Sequence, residues 1–177
     1  MNFYTRRFNV YLLPLLLLTA LMSPGCALFH KKTPKEVGAV RVHIESPAAA
    51  GDETQTVSLL RADPVAVLIL KDPVLTEADL LRAVLRESPG GFYVELLFDQ
   101  TGALTLEQYT GAYGGKHFVV FGQWGEKLKD GRWLAAPIIS GRTTTGTLAF
   151  TPDMSRAEAE QWVKGLNATA KKLQTGK

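Results

Sequence analysis

Between Phe92 and Phe98 the side chains alternate. Phe92, Val94, Leu96 and Phe98 point one way, while Tyr93, Glu95 and then Asp99 point the other. A period of two commits this segment to a half-buried strand, which needs both a sheet to pair with and a layer to cover it. Val40–Glu45 repeats the pattern, with Val40, Val42 and Ile44 set against Arg41, His43 and Glu45. Further strands are expected at Val57–Arg61 and Val65–Leu70, split by Asp63-Pro64, and at His117–Gln123, Arg132–Ile139 and Thr147–Phe150. Residues 46–54, with Pro47, three alanines and Gly51, read as a loop.

Three helices are expected among these strands. Thr76–Arg86 has a capping threonine, acids Glu77 and Asp79 in its first turn, and Leu81, Val84 and Leu85 on one face. A second runs over about Ala103–Tyr113 and closes at Gly114-Gly115. The last opens at Ser155, where Glu158 completes a Ser-x-x-Glu capping box, and Ala159, Trp162, Val163, Leu166 and Ala170 make its buried stripe. Gly165 weakens it by about 1 kcal/mol relative to alanine. The expected fold class is α+β, a mostly antiparallel sheet with three helices packed on it.

The chain of 177 residues is 46% hydrophobic and 21% charged, which suits one packed domain and excludes a disordered chain. A single cysteine excludes a disulfide framework and a thiolate zinc cage. That cysteine has a telling place. Arg6 and Arg7 precede an apolar run from Val10 to Met22, broken only by Pro14 and Thr19, and Ser23, Pro24 and Gly25 lead to Cys26. This is the layout of a secretory signal. The run is too short for an ordinary membrane span.

The stretch resembles a bacterial lipobox, although Ser23 stands where that motif prefers leucine. The resemblance implies a diacylglycerol on the Cys26 sulfur as a covalent lipid anchor, with no other cofactor. The expected organisation is a signal peptide over 1–25, a lipidated tether over 26–38, one domain over 39–172 and a flexible tail over 173–177. Lys31, Lys32 and Lys35 belong to the tether, as a solvated spacer or as contacts to anionic headgroups. Removing Arg6 and Arg7 with the signal leaves the mature charge close to neutral, so no nucleic-acid partner is expected.

Catalytic chemistry is not visible. His30, His43 and His117 have no metal-ligand spacing, and Glu95 and Asp99 stand about 13 Å apart on one strand face. Ser140-Gly141 lacks the surroundings of a nucleophile elbow. Asn167-Ala168-Thr169 matches a glycosylation sequon but lies on a helix. One segment stands apart: Phe121-Gly122-Gln123-Trp124-Gly125 puts two aromatics and two glycines between strands. Phe121, Gln123 and Trp124 are the candidate interaction loop, with Trp124 either projecting toward a partner or folded back as a core lid.

From Gly102-Ala103 onward the sequence resembles the periplasmic head subdomain of the SecD subunit of the bacterial preprotein translocase. Thr110, Gly115-Lys116, Val119-Val120, Asp130-Gly131, Trp133-Leu134 and Ala136-Pro137-Ile138-Ile139 follow that family's order, and Gly146, Leu148 and Glu158-Ala159 echo its hairpin and last helix. Pro73-Val74-Leu75-Thr76 and Asp79 are similar to its preceding segment. The segment Phe121–Lys129 is longer than in the family, and Phe150 replaces a usual glycine. The family's membrane helices are missing from this sequence, so its proton-driven translocation does not carry over.

The resemblance implies a SecD-head-like domain in the bacterial envelope. The leading expectation is a membrane-anchored, extracytoplasmic, non-enzymatic interaction or assembly module, linked to protein export through the resemblance. Its partner would be an envelope protein or an exported polypeptide. The alternative is an envelope small-ligand carrier or sensor with an apolar pocket. A hydrolase would need Ser140 beside His43 or His117.

Overall fold

A computed structural model describes residues 37–46 and 51–176. The signal peptide, Cys26, His30, the three tether lysines and residues 47–50 of the expected loop lie outside the described residues. Among the described residues nine strands and two α-helices follow in the order β1 (Ala39–Ile44), β2 (Thr54–Leu59), β3 (Val65–Leu70), β4 (Leu75–Thr76), β5 (Leu80–Ser88), β6 (Gly91–Phe98), α1 (Gln100–Ala112), β7 (Phe118–Trp124), β8 (Asp130–Ala135), β9 (Thr147–Phe150) and α2 (Arg156–Thr175). All named strand pairings are antiparallel. They form a sheet ordered β4-β1-β7-β8, another ordered β5-β6-β9, and the hairpin β2-β3. The α+β class with mostly antiparallel strands is as expected, but with two helices among the described residues where three were expected.

The segment expected as a first helix, Thr76–Arg86, is a capped turn followed by a strand. Thr76 N donates to Asp79 Oδ2 at 2.8 Å and Ala78 N to Thr76 Oγ1 at 3.2 Å, so the N-terminal signals are used once and not propagated. From Leu80 the chain pairs with β6 as far as Ser88↔Gly91, with an irregularity between Leu80 and Arg82. The buried residues of this strand are Leu80 and Ala83, not the expected face of Leu81, Val84 and Leu85. Leu81, assigned to the buried stripe, is 47% exposed.

The main core lies between the strands and α2. Val40, Val42 and Ile44 of β1, Phe118 and Val120 of β7, and Leu96 of β6 pack with Trp162 and Leu166 of α2. Trp162 is fully buried and its indole N–H donates to Ala39 O at 3.0 Å. Its ring occupies space left by Gly122, where an added Cβ would stand 3.0 Å from Trp162 Cε2. Gly165 has a positive role as well: a Cβ there would lie 2.7 Å from the Val37 carbonyl carbon. Helix and chain cross with backbones in contact, so Val37 and Gly38 belong to the folded unit and not to a tether ending at 38. At the other end α2 continues to Thr175, past the tail boundary expected at 173.

α2 also closes the free edge of β5. Asn167 accepts from Ala83 N and donates to Ala83 O, both at 2.9 Å, and Gln174 Nε2 donates to Leu80 O at 3.3 Å. An unpaired strand edge invites foreign strands, and side-chain amides at matching height remove that hazard. The sequon asparagine is therefore structural. The helix start is the expected capping box, with Ser155 N donating to Glu158 Oε2 at 2.7 Å and Glu158 N to Ser155 Oγ at 3.3 Å.

α1 begins earlier than expected because Asp99 caps it, accepting from Gly102 N at 2.9 Å. Thr110 is buried; its hydroxyl donates to Leu106 O at 2.8 Å and accepts from Thr143 N at 3.0 Å. Phe150, for which the resembled family has glycine, ends β9 in regular register opposite Val94 and packs on Trp162 at 6.4 Å.

Two substitutions test the close crossing. Gly165→Ala should lower the unfolding free energy by about 1–3 kcal/mol through overpacking, against its favourable helix propensity. Gly111→Ala, where the new Cβ meets only the Arg142 side chain at 3.8 Å, should raise it by up to about 1 kcal/mol. Denaturant titration reads both, and a stabilised Gly165→Ala protein would contradict the crossing.

The cap makes a pH prediction. The Ser155 N–H, helped by the Ser155 hydroxyl and Arg132 and opposed by partial desolvation, pulls the Glu158 carboxyl from 4.5 to about 2. A depressed carboxyl contributes stability above its unfolded value, and that contribution is lost as pH falls toward the folded value. Melting temperature should therefore fall from about pH 4.5 to about pH 2 more steeply in the parent than in Glu158→Gln. Parallel acid profiles would rule this out.

Candidate functional site

The sheet β4-β1-β7-β8 is covered on its inner face and in part on its outer one. Its inner face meets α2, and its outer face carries Arg41 and His43 of β1, Val119 and Phe121 of β7, and Trp133 of β8. The β2-β3 hairpin lies over this outer face, where Val57, Leu59, Ile69 and Val119 form a second small core with Val67, Trp133 and Ala136 packed against it. This explains the unbroken apolar run Phe118–Phe121 in β7. Hairpin and sheet do not meet over their whole length, and an opening remains at each end.

At the turn end is an apolar cleft of about 390 Å³. Leu59, Ala135 and Phe150 at its base are buried, while Leu60 and Val65 on the hairpin wall are each 47% exposed. Pro137 and Thr151 line the opposite side. The turn holding that wall is unusual, because Leu60 has φ of 61°, a conformation favoured in glycine and rare in leucine. The segment after β8 is held by backbone bonds: Phe118 N donates to Pro137 O at 3.0 Å and Ile139 N to Lys116 O at 2.8 Å. Asp153 N donates to Leu134 O at 2.7 Å and so joins β8 to the chain after β9.

One ionisable side chain lines the cleft. His117 Nδ1 lies 2.6 Å from Glu45 Oε2, which also accepts from His117 N at 3.0 Å, and Lys116 Nζ is 3.8 Å from Glu45 Oε1. Desolvation pushes the Glu45 carboxyl up, but the His117 ring and backbone hydrogen bonds and the Lys116 charge outweigh it and hold it below its ordinary value. Glu45 thus orients the imidazole from outside an otherwise apolar wall.

The expected interaction loop is not a projecting loop. Phe121, Gln123 and Trp124 belong to β7, and Trp124 is 3% exposed with the Arg132 guanidinium 4.9 Å above its ring. Arg132 also donates to Asp153 O and Glu158 Oε1, each at 3.0 Å, so Trp124 is a lid beside the α2 cap. The turn between β7 and β8 runs over residues 125–129, with Gly125 at φ 82°. Asp130 and Gly131 instead begin β8, opposite Trp124 and Gln123.

The other candidates are structural too. His43 Nδ1 donates to Leu70 O at 2.9 Å. Glu95 pairs with Arg86 at 2.8 Å. Ser140 is exposed and makes no hydrogen bond to His43 or His117 among the described residues. Among them, too, no three His, Cys, Asp or Glu side chains group as a metal site. No helix among the described residues is long and apolar enough to cross a membrane. The cleft escaped sequence reasoning because its lining comes from segments far apart; only Pro137 and the apolar residues flanking Asp63-Pro64 hinted at it.

No family model and no curated protein matches the chain. The solved structures similar to it include two at 21% identity and TM-score 0.53, each over 76% of this chain. One is described as a membrane component SecDF that enhances protein export, and the other as SecDF in its super-membrane-facing form. The chain covers 64% of the first and 19% of the second. At this identity the likeness is one of fold, and the α+β domain resembles a SecD domain.

Proposed function

We propose that this chain is an extracytoplasmic interaction module of the bacterial envelope, held to a membrane by lipid on Cys26 and without catalytic activity of its own. Its working surface is the apolar cleft beside β8, in place of the buried Trp124. The carrying observation is the pair Leu60 and Val65, each 47% exposed on the wall of a cleft whose base is buried. Apolar surface gathered at a concavity marks a contact site more than scattered apolar residues do. β8 and β9 are edge strands of their sheets, which suits an extended polypeptide with apolar side chains entering the cleft. The partner is then an envelope protein or an exported polypeptide. A link to export draws on the SecDF fold, and neither nucleic acid nor a soluble cofactor is part of the reading.

A second reading is favoured by the volume of the cleft. About 390 Å³ falls in the range of small-molecule sites, and the lone imidazole in apolar surroundings would orient the polar group of a largely apolar ligand. In that case the domain is a carrier or sensor.

A photo-crosslinking residue at position 65, introduced into intact cells of the native host, separates these readings. A discrete protein adduct is expected at 65 and not at the exposed position 161 on α2. Adduct formation only with a small apolar molecule would favour the carrier, and no adduct above the control would remove the cleft from both. Val65→Glu should abolish competition by the unmodified protein while changing stability by no more than about 0.5 kcal/mol, as surface substitutions usually do. For the anchor, metabolic labelling with a palmitate analogue should mark the parent chain and not Cys26→Ser. Equal labelling would place the lipid elsewhere, and no labelling of either would end the anchor reading.

A further inference from the structure

The opening at the other end of the hairpin has a different character. Between β1, β7, β8 and the open end of β2-β3 is a pocket of about 310 Å³, walled by Phe121 and Trp133 with Pro73 at its side. Arg41 and Lys71 stand over it, both exposed, and Gln55 and His43 complete the lining. Arg41 forms no ion pair among the described residues, and the Lys71 ammonium is engaged there only with the Asp52 backbone carbonyl. A guanidinium and an ammonium lining one pocket, neither paired with a carboxylate among the described residues, are suited to an incoming anion.

His43 adds a second requirement. It is 4% exposed, its ring meets Trp133 edge-on at 5.2 Å, and its Nδ1–H is committed to Leu70 O. Burial pushes its pKa down, with Arg41 acting in the same direction; the Leu70 carbonyl and Asp72 act in the opposite one. In the neutral ring Nε2 is then an acceptor, and it has no hydrogen-bond partner among the described residues. A buried acceptor without a partner calls for a donor. Phe121 and Trp133, 5.0 Å apart and tilted by 58°, supply apolar ring surface beside these polar groups.

We infer that this pocket binds a small aromatic carboxylate that also carries an O–H or N–H donor. The carboxylate is held by Arg41 and Lys71, the ring rests on Trp133 and Phe121, and the donor reaches His43. The site is separate from the apolar cleft, and the inference stands whether or not that cleft binds polypeptide.

Calorimetric titration of the full chain in detergent with 4-hydroxybenzoate tests it. Saturable binding is expected, at least about tenfold weaker for 4-hydroxybenzamide, benzoate, acetate and inorganic phosphate. Arg41→Gln and Lys71→Gln should each weaken 4-hydroxybenzoate at least about tenfold at an unchanged melting temperature. Should one variant fold poorly, the other still decides. No binding of 4-hydroxybenzoate at millimolar concentration, equal binding of phosphate or acetate, or binding unchanged in the folded variants would each overturn the inference.

Discussion

The structure depends on one close crossing. α2 passes over the start of β1 with Gly165 against Val37 and Gly38, near enough that a methyl group on either glycine would strike backbone. That approach lets Trp162 reach through to Gly122 and hydrogen bond to Ala39 O at 3.0 Å. A tryptophan buried this fully contributes much of the core's apolar contact, and its N–H needs a partner once out of water. Both conditions are met only at the short interaxial distance that the glycines permit. The helix-propensity loss at Gly165 is offset by packing that no larger residue would allow.

The same helix, once fixed, determines what the rest of the chain can do. Its next turns place Asn167 and Gln174 along β5, so one sheet edge is closed by side chains. Its N-terminus gathers Ser155, Glu158, Arg132 and Trp124 into a single cap. With the inner face of β1 and β7 occupied, their outer face is left to the β2-β3 hairpin. A two-stranded ribbon is too narrow to cover a four-stranded sheet, so its inward residues meet the sheet closely only in the middle. Along the ribbon those residues change from Leu59 and Val65 at the turn to Gln55 and Lys71 at the open end. The two openings accordingly differ, one apolar and one cationic.

Strands were legible because their alternation is local. β6 follows its pattern residue by residue, and the Ser155–Glu158 box forms as its spacing requires. The error at Thr76–Arg86 has a definite source: capping residues signal the start of a turn, and only pairing partners decide whether it continues. Asp79 does cap Thr76, but β6 offers Leu80–Ser88 a full ladder that outweighs helix propensity. Trp124 illustrates another limit. Neighbouring glycines signal an irregular path, yet the arginine that covers its ring comes from the following strand. The cleft was less legible still, since Leu60, His117, Pro137 and Phe150 converge only through the register of separate pairings.

The residues that carry the SecD resemblance clarify what a common fold conveys. Thr110 links α1 to Thr143, the N–H of Gly115 at φ 79° donates to Ile139 O, and the carbonyl of Gly146 at φ 66° accepts from Phe98 N. Each of these three solves a backbone problem and lines neither opening, whereas Ala136 and Pro137 of the same set line the apolar cleft and Pro73 and Trp133 the cationic pocket. A set of such positions can preserve an architecture at 21% identity while the surfaces built on it diverge. The β2-β3 hairpin, which bounds both openings, lies upstream of the stretch whose sequence resembles SecD, although the likeness in fold covers 76% of the chain. On the two proposed readings, recognition would draw on Leu60, Val65, Gln55 and Lys71 together with the sheet residues that line the same openings.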